Sequence, residues 1–139
     1  MYVTDEVLFD LPSAAEDQSV NIFSIACGKN DKKLNIVITR DSITNNKSLD
    51  EYVGACVQQL SSGLLSFNLI GRRQVELDGT QAVVVEFQWM ADSGMMYQRQ
   101  IFSGRQQRVL VFTATTLSHF SHECEEAWKQ VANSIRWRR

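Results

Sequence analysis

Four strand-length segments follow one another between residues 67 and 115 with connections of only two, four and five residues, and this spacing restricts the fold more than any other feature. The segments read "FNLIGRRQVEL", "TQAVVVEFQWM", "MMYQRQIF" and "RVLVFTAT". A parallel neighbour needs a crossover of about a dozen residues, so consecutive segments here run antiparallel. Asp78-Gly79 separates the first two and is the dipeptide favoured where both central residues of a hairpin turn take positive φ. "ADSG" and "SGRQQ" supply the other two turns.

Three shorter strands are expected upstream: "EVLFDLP", closed at the sheet edge by Pro12, then "VNIFSIA" and "KKLNIVITRD" joined by a "GKND" hairpin turn. Two helices complete the chain. The first opens at Ser48 with Glu51 three residues later, the spacing of a capping box, and carries Leu49, Tyr52, Val53, Cys56, Leu60 and Leu64 as one apolar stripe. The second runs from Ser118 to Ile135, with Phe120, Cys124, Ala127, Trp128, Val131 and Ile135 on one side. Strands grouped in a meander and helices set apart predict an α+β fold, an antiparallel β-sheet with helices packed on one face, in a single domain spanning residues 1–139.

Alternation sorts the sheet faces. Val83, Val85, Phe87 and Trp89 are read as core, together with Leu110, Phe112, Ala114, Tyr97, Ile101, Leu34, Ile36 and Ile38. Arg99 is the misfit there and requires a partner or an edge position, since an unpaired buried guanidinium is costly. The opposite face then carries Ile22, Ser24, Val37, Thr39, Val84, Glu86, Gln88, Met96, Gln98, Gln100, Phe102, Val109, Val111, Thr113 and Thr115. Neutral amides and hydroxyls mixed with branched aliphatics make neither a core nor a solvated surface. Strand propensity alone also enriches an outer sheet face in Thr and Val.

Several function classes fall away. The formal net charge is −2, and the one basic cluster is Arg136 to Arg139, too little for the footprint of a nucleic-acid-binding protein. The first residues hold no basic segment followed by an apolar run, and no apolar stretch reaches membrane-spanning length, so a cytoplasmic chain without direct membrane anchoring is expected. Cys27, Cys56 and Cys124 lie far apart and read as buried thiols. His119, His122 and Cys124 cluster at the start of the second helix, but zinc sites want a further ligand at a defined spacing, so no metal is expected. Phosphate-binding glycine loops and nucleophile elbows are missing, and no cofactor or catalytic residue is assigned. Trp89, Trp128 and Trp137 are left to the core or an interface.

The order of "FDLP", "SVNIF", "LNIVITRD", "LDGTQAVVVEFQW", "MYQRQIF", "VLVFTAT" and a last helix ending "SIRWR" resembles the DcrB-like family, and more narrowly the Eag-type chaperones that accompany type VI secretion effectors in Gram-negative bacteria. The resemblance covers nearly the whole chain. After "LP" the family commonly has Gly-Trp followed by Asp, whereas here Ala14-Ala15 precede Glu16-Asp17. It implies a PsbP-like fold, a homodimer, and a cytoplasmic chaperone that shields the hydrophobic N-terminal transmembrane helices of a cognate effector and aids its loading onto the spike. On that reading Ile22, Val37, Thr39, Val84, Gln88, Gln98, Gln100 and Val111 form an effector-helix-binding groove, the glutamines bonding to polar groups of the helix. The alternative is a non-enzymatic binding module for a small apolar ligand or a protein partner.

Overall fold

The computed structural model describes residues 2–3, 8–10, 12, 19–27, 33–43 and 47–138. The "GKND" turn and the Ala14–Asp17 departure lie outside these residues. Strands β1 (Tyr2–Val3) and β2 (Leu8–Phe9) pair with each other, so the described strand of "EVLFDLP", Leu8–Phe9, belongs to a separate two-stranded sheet rather than to the edge of the main one. That sheet has six strands: β3 (Asn21–Ala26), β4 (Lys33–Ser42), β5 (Asn68–Leu77), β6 (Thr80–Ala91), β7 (Gly94–Arg105) and β8 (Arg108–Leu117). Their spatial order is β3-β4-β8-β7-β6-β5, with every neighbouring pair antiparallel. Helix α1 (Leu49–Gly63) connects β4 to β5, and α2 (His122–Ser134) follows β8.

Turn chemistry sets the register. Asp78 and Gly79 take φ of 50° and 77°, as a two-residue hairpin with a right-handed strand twist requires. The other two turns are tighter than the sequence implies: Ala91 pairs with Gly94 and Arg105 with Arg108, leaving only two residues in each. A two-residue turn pairs odd-numbered with even-numbered positions. Val85 therefore stands opposite Gln100 and Phe87 opposite Gln98, so the odd-numbered residues of β6 share a face with Gln98, Gln100, Phe102 and Val111. The expected grouping of Val83, Val85, Phe87 and Trp89 with Tyr97 and Ile101 is thus corrected. Parity in β3, β4, β7 and β8 is as read.

The helices lie on opposite faces of the sheet, where one shared face was expected. Ala82, Val83, Val84 and Val85 are all buried, and an unbroken apolar run is what a strand covered on both sides needs. Helix α1 lies over β6 and β7, packing Leu49 and Val53 onto Val83, Val85, Phe87, Phe102, Val109 and Val111. Its start is the anticipated capping box: the Glu51 amide donates to Ser48 Oγ at 3.1 Å and the Ser48 amide to Glu51 Oε1 at 3.3 Å. Helix α2 places Cys124 and Trp128 against Leu34, Ile36, Ala82, Val84, Ile101, Phe112 and Ala114. Ser121 caps it, accepting from the Cys124 amide at 3.2 Å. Phe120 precedes the helix and meets the Tyr97 ring edge-on, 5.2 Å between centroids.

Arg99 finds the partner its position demands. Its Nη1 donates to Glu125 Oε2 at 2.6 Å, Nη2 bonds the second carboxylate oxygen, and the guanidinium lies 4.2 Å from the Phe120 ring centroid. Glu86 stands 3.7 Å from Arg99 Nε and accepts from the Tyr97 hydroxyl at 2.6 Å. The bidentate pair ties α2 to the middle of the sheet.

Two outcomes follow from this packing. Phe87→Ala should lower the unfolding free energy by about 3–5 kcal/mol in urea titrations, as truncation of a fully buried aromatic does. The Arg99 hydrogen bonds hold the Glu125 carboxyl below its ordinary value of 4.5, against the opposing effect of burial. Its stabilising contribution is complete above that value and is lost as pH falls through the lowered one. Urea titrations between about pH 6 and about pH 3 should show a shallower loss of stability for Glu125→Gln than for the parent.

Candidate functional site

Helix α1 covers only half of its face. The sheet is six strands wide, and the helix lies over β6, β7 and the Val109–Val111 end of β8, leaving a band over β3, β4 and the Thr113–Thr115 end of β8 open. Ile22 is 71% exposed, and Val37, Thr39, Thr113 and Thr115 are half-buried. Three transverse rows cross this band into the covered region: Thr39, Val111, Phe102 and Val83; then Ile22, Val37, Thr113, Gln100 and Val85; then Ser24, Asn35, Thr115, Gln98 and Phe87. The second and third rows grade from exposed at the β3 edge to buried beneath α1, while the first goes from half-buried Thr39 to buried Val111, Phe102 and Val83.

The rows place the anticipated residues directly. Ile22, Val37, Thr39, Gln98, Gln100 and Val111 share this face. Val84 and Gln88 do not, because the β6–β7 register sets them opposite Ile101 and Tyr97, on the α2 side. Val84 is buried in the α2 core. The wall that replaces them comes from the helix: Tyr52, Cys56, Gln59 and Gly63 border a cleft of about 390 Å³ that reaches down to Gln100 and Thr113. Their spacing of four, three and four is a helix-face signal, extending the apolar stripe onto a small and polar margin.

The two glutamines differ in how they are satisfied. Gln98 is saturated locally: Trp89 Nε1 donates to its Oε1 at 2.6 Å, and its Nε2 donates to Thr115 Oγ1 at 2.8 Å. Gln100 donates from Nε2 to Thr113 Oγ1 at 3.2 Å, while its Oε1 is buried with no hydrogen-bond partner among the described residues. Turning the amide over would hand Oε1 the Thr113 hydroxyl and orphan the nitrogen instead, so one polar group stays unpaired either way. An unpaired buried polar atom costs about 1–3 kcal/mol, a debt that an incoming hydrogen-bonding group would cancel.

The surroundings favour binding over bond-making chemistry. Burial first, and then the Asp41 carboxylate, hold the Tyr52 phenol well above its ordinary range, and the hydroxyl donates to Asp41 Oδ2 at 2.6 Å. Burial likewise raises the Cys56 thiol, the opposite of what an activated nucleophile needs. Cys27 is pushed up to about 11 by burial and by its contact with Cys124. Among the described residues no cluster of three or more His, Cys, Asp or Glu side chains is arranged to hold a metal ion, and no helix is long and apolar enough to cross a membrane.

The antiparallel sheet with helices is of the PsbP kind. Cyanobacterial PsbP from Synechocystis superposes with a TM-score of 0.54 at 14% identity, covering 91% of this chain and 96% of that one, a likeness of fold alone. Residues 6–134 match the DcrB family, and the chain belongs to it. It is 29% identical over 135 residues to Effector EagT6 of Pseudomonas aeruginosa, covering 97% of this chain and 94% of that relative. A crystal structure of a Pseudomonas aeruginosa protein of unknown function superposes with a TM-score of 0.86 at 29% identity, covering 99% of this chain and 96% of the other.

Gln100→Met keeps the side-chain volume and removes the orphaned acceptor. It should raise the unfolding free energy of the isolated protein by about 1 kcal/mol in chemical denaturation, the lost Thr113 bond being the smaller loss.

Proposed function

We propose that this chain is a chaperone for a type VI secretion effector, and that the open band of the α1 face holds an apolar helix from the effector's N-terminal region. The supporting observation is the fit of that band to one helix. Three strands about 4.8 Å apart span about 10 Å, the diameter of an α-helix, and helices pack side by side at about 8–10 Å, so an incoming helix would lie beside α1. Ile22 and Val37 offer it aliphatic contact, and the Gln100 amide, which lines the cleft, would offer its unpaired oxygen on rotating toward a hydroxyl or small-residue position of that helix. A band that mixes aliphatics with threonines and asparagine also tolerates water when empty better than an all-apolar strip of equal area.

On this reading the protein works in the cytoplasm as a homodimer, keeps transmembrane segments of its client from aggregating before export, and helps present the effector to the spike. Its likeness to Effector EagT6 over nearly the whole of both chains supports the assignment. Its action is shielding, without a catalytic step.

The test is recovery of the client. Tagged protein expressed in its native host should bring down one large effector with apolar N-terminal helices, identified by mass spectrometry. Ile22→Asp with Val37→Asp, both on the open band, should reduce that recovery about tenfold or more while leaving the thermal midpoint nearly unchanged. Undiminished recovery would move the binding surface off the α1 face.

A further inference from the structure

The basic C-terminal cluster that the sequence leaves unexplained is not a loose tail. After α2 the backbone turns extended at Ile135, and Trp137 is fastened twice: its amide donates to Asp78 Oδ2 at 3.0 Å and its indole Nε1 to the buried Ser103 Oγ at 2.9 Å. Arg105 Nη1 adds a bond to the Arg138 carbonyl at 3.3 Å. The segment is thereby held across one end of the sheet on the α2 face, where it closes a cleft of about 490 Å³ with β4 and β8. That volume is within the range of preformed binding pockets.

The floor of the cleft is apolar, from Leu110, Phe112, Val131 and Ile135, and its rim carries Arg40, Arg108, Arg136 and Arg138. Register accounts for half of this grouping: Arg40 pairs with Leu110 and Arg108 with Ser42, so the two arginines project from adjacent strands on one face. Two of the four arginines have neutral partners in the structure. Arg40 Nη1 donates to the Ser19 carbonyl at 3.0 Å, and Arg136 Nη1 donates to the Ile135 carbonyl at 2.7 Å and the Asn133 carbonyl at 3.3 Å. Asp41 borders the cleft but is committed elsewhere, accepting from Tyr52 at 2.6 Å and from the Ser42 amide at 2.8 Å. Among the described residues none of the four forms an ion pair. In a chain of net charge −2, this is a local concentration of positive charge, four arginines against the one carboxylate, Asp41, among the described residues that line the cleft.

We propose that this cleft docks an acidic peptide segment of a partner protein, one apolar side chain resting on Leu110, Phe112 and Ile135 while flanking carboxylates meet the arginines. Arginine suits that role because its planar fork bonds carboxylates in pairs. Four cations around an apolar floor match several carboxylates beside one anchor better than a single-headed amphiphile. A nucleic-acid backbone would want cations along an extended surface and would leave the floor unused. The cleft faces away from the open band of α1, so both can be filled at once, and the proposal stands independently of the chaperone reading.

The probe is an acetylated, amidated pentapeptide with one leucine between two pairs of glutamates, titrated into the isotopically labelled full chain and followed by amide and indole NMR shifts. Saturable shifts are expected at the Trp137 indole N–H and the Leu110 and Ile135 amides, weakening about tenfold or more in Arg40→Gln with Arg108→Gln and falling steeply with added salt. Retained free-state Trp137 and Ile135 signals show that the variant is folded, and the salt titration on the parent chain is a second measurement that needs no variant. Equal binding of the peptide with glutamines for glutamates, shifts confined to Ile22, Val37 and Gln100, or no saturation by about 1 mM would overturn the proposal. Saturation by decanoate without saturation by the acidic peptide would overturn it too, assigning the cleft to a small amphiphile.

Discussion

Burial of β6 on both sides is the constraint from which the remaining architecture follows. With Ala82 to Val85 all inaccessible, each face of the sheet needs its own cover, and the chain has one helix for each. Neither helix is broad enough to shield a six-stranded sheet, so coverage concentrates over the central strands and leaves margins. The α1 face has its margin over β3, β4 and β8, and the α2 face has a cleft at the far ends of β4 and β8 that the C-terminal segment closes. Both candidate sites are therefore by-products of covering a wide sheet with two helices, later furnished with polar groups.

Those polar groups fall into two kinds. Arg99 is engaged by Glu125, Glu86 and Phe120, and its charge serves to dock α2 onto the sheet. Gln100 is the reverse case, half-satisfied by Thr113 and otherwise waiting. Adjacent in one strand, where successive side chains alternate faces, they point to opposite helices. A paired polar residue in a core specifies a unique arrangement; an unpaired one lowers stability in exchange for something it does when a partner arrives.

Much of this was legible in the residues, for reasons that can be named. Ser48 and Glu51 marked the start of α1, Asp78-Gly79 the central hairpin, and the alternation of β3, β4, β7 and β8 sorted their faces correctly. The failure was β6. An unbroken apolar run has no alternation to read, so its parity has to come from its neighbour's register, and the pairing of Met90 with Met95 across "ADSG" already sets Val84, not Val85, opposite Ile101. Missing that register misplaced Val84 and Gln88 and hid the second covered face. The helix wall at Tyr52 and Cys56 was read as part of the apolar stripe because a stripe wider than its sheet footprint looks the same in sequence as one fully used, and Gln59 beside it was not singled out. The basic end was judged only as too small a nucleic-acid footprint, since nothing local announces that Trp137 will be bound to Ser103 and Asp78.

Strand β8 carries both surfaces in alternate residues. Val111 and Thr113 look toward the open band, and Leu110 and Phe112 toward the arginine-rimmed cleft. Point substitutions can consequently drift on one surface without touching the other, as two alphabets interleaved in a single line of text. Loss or gain of one codon within the strand has no such freedom: it would deal each surface the other's letters at once. Length in this short segment is therefore constrained by both surfaces together, as identity at any one position is not.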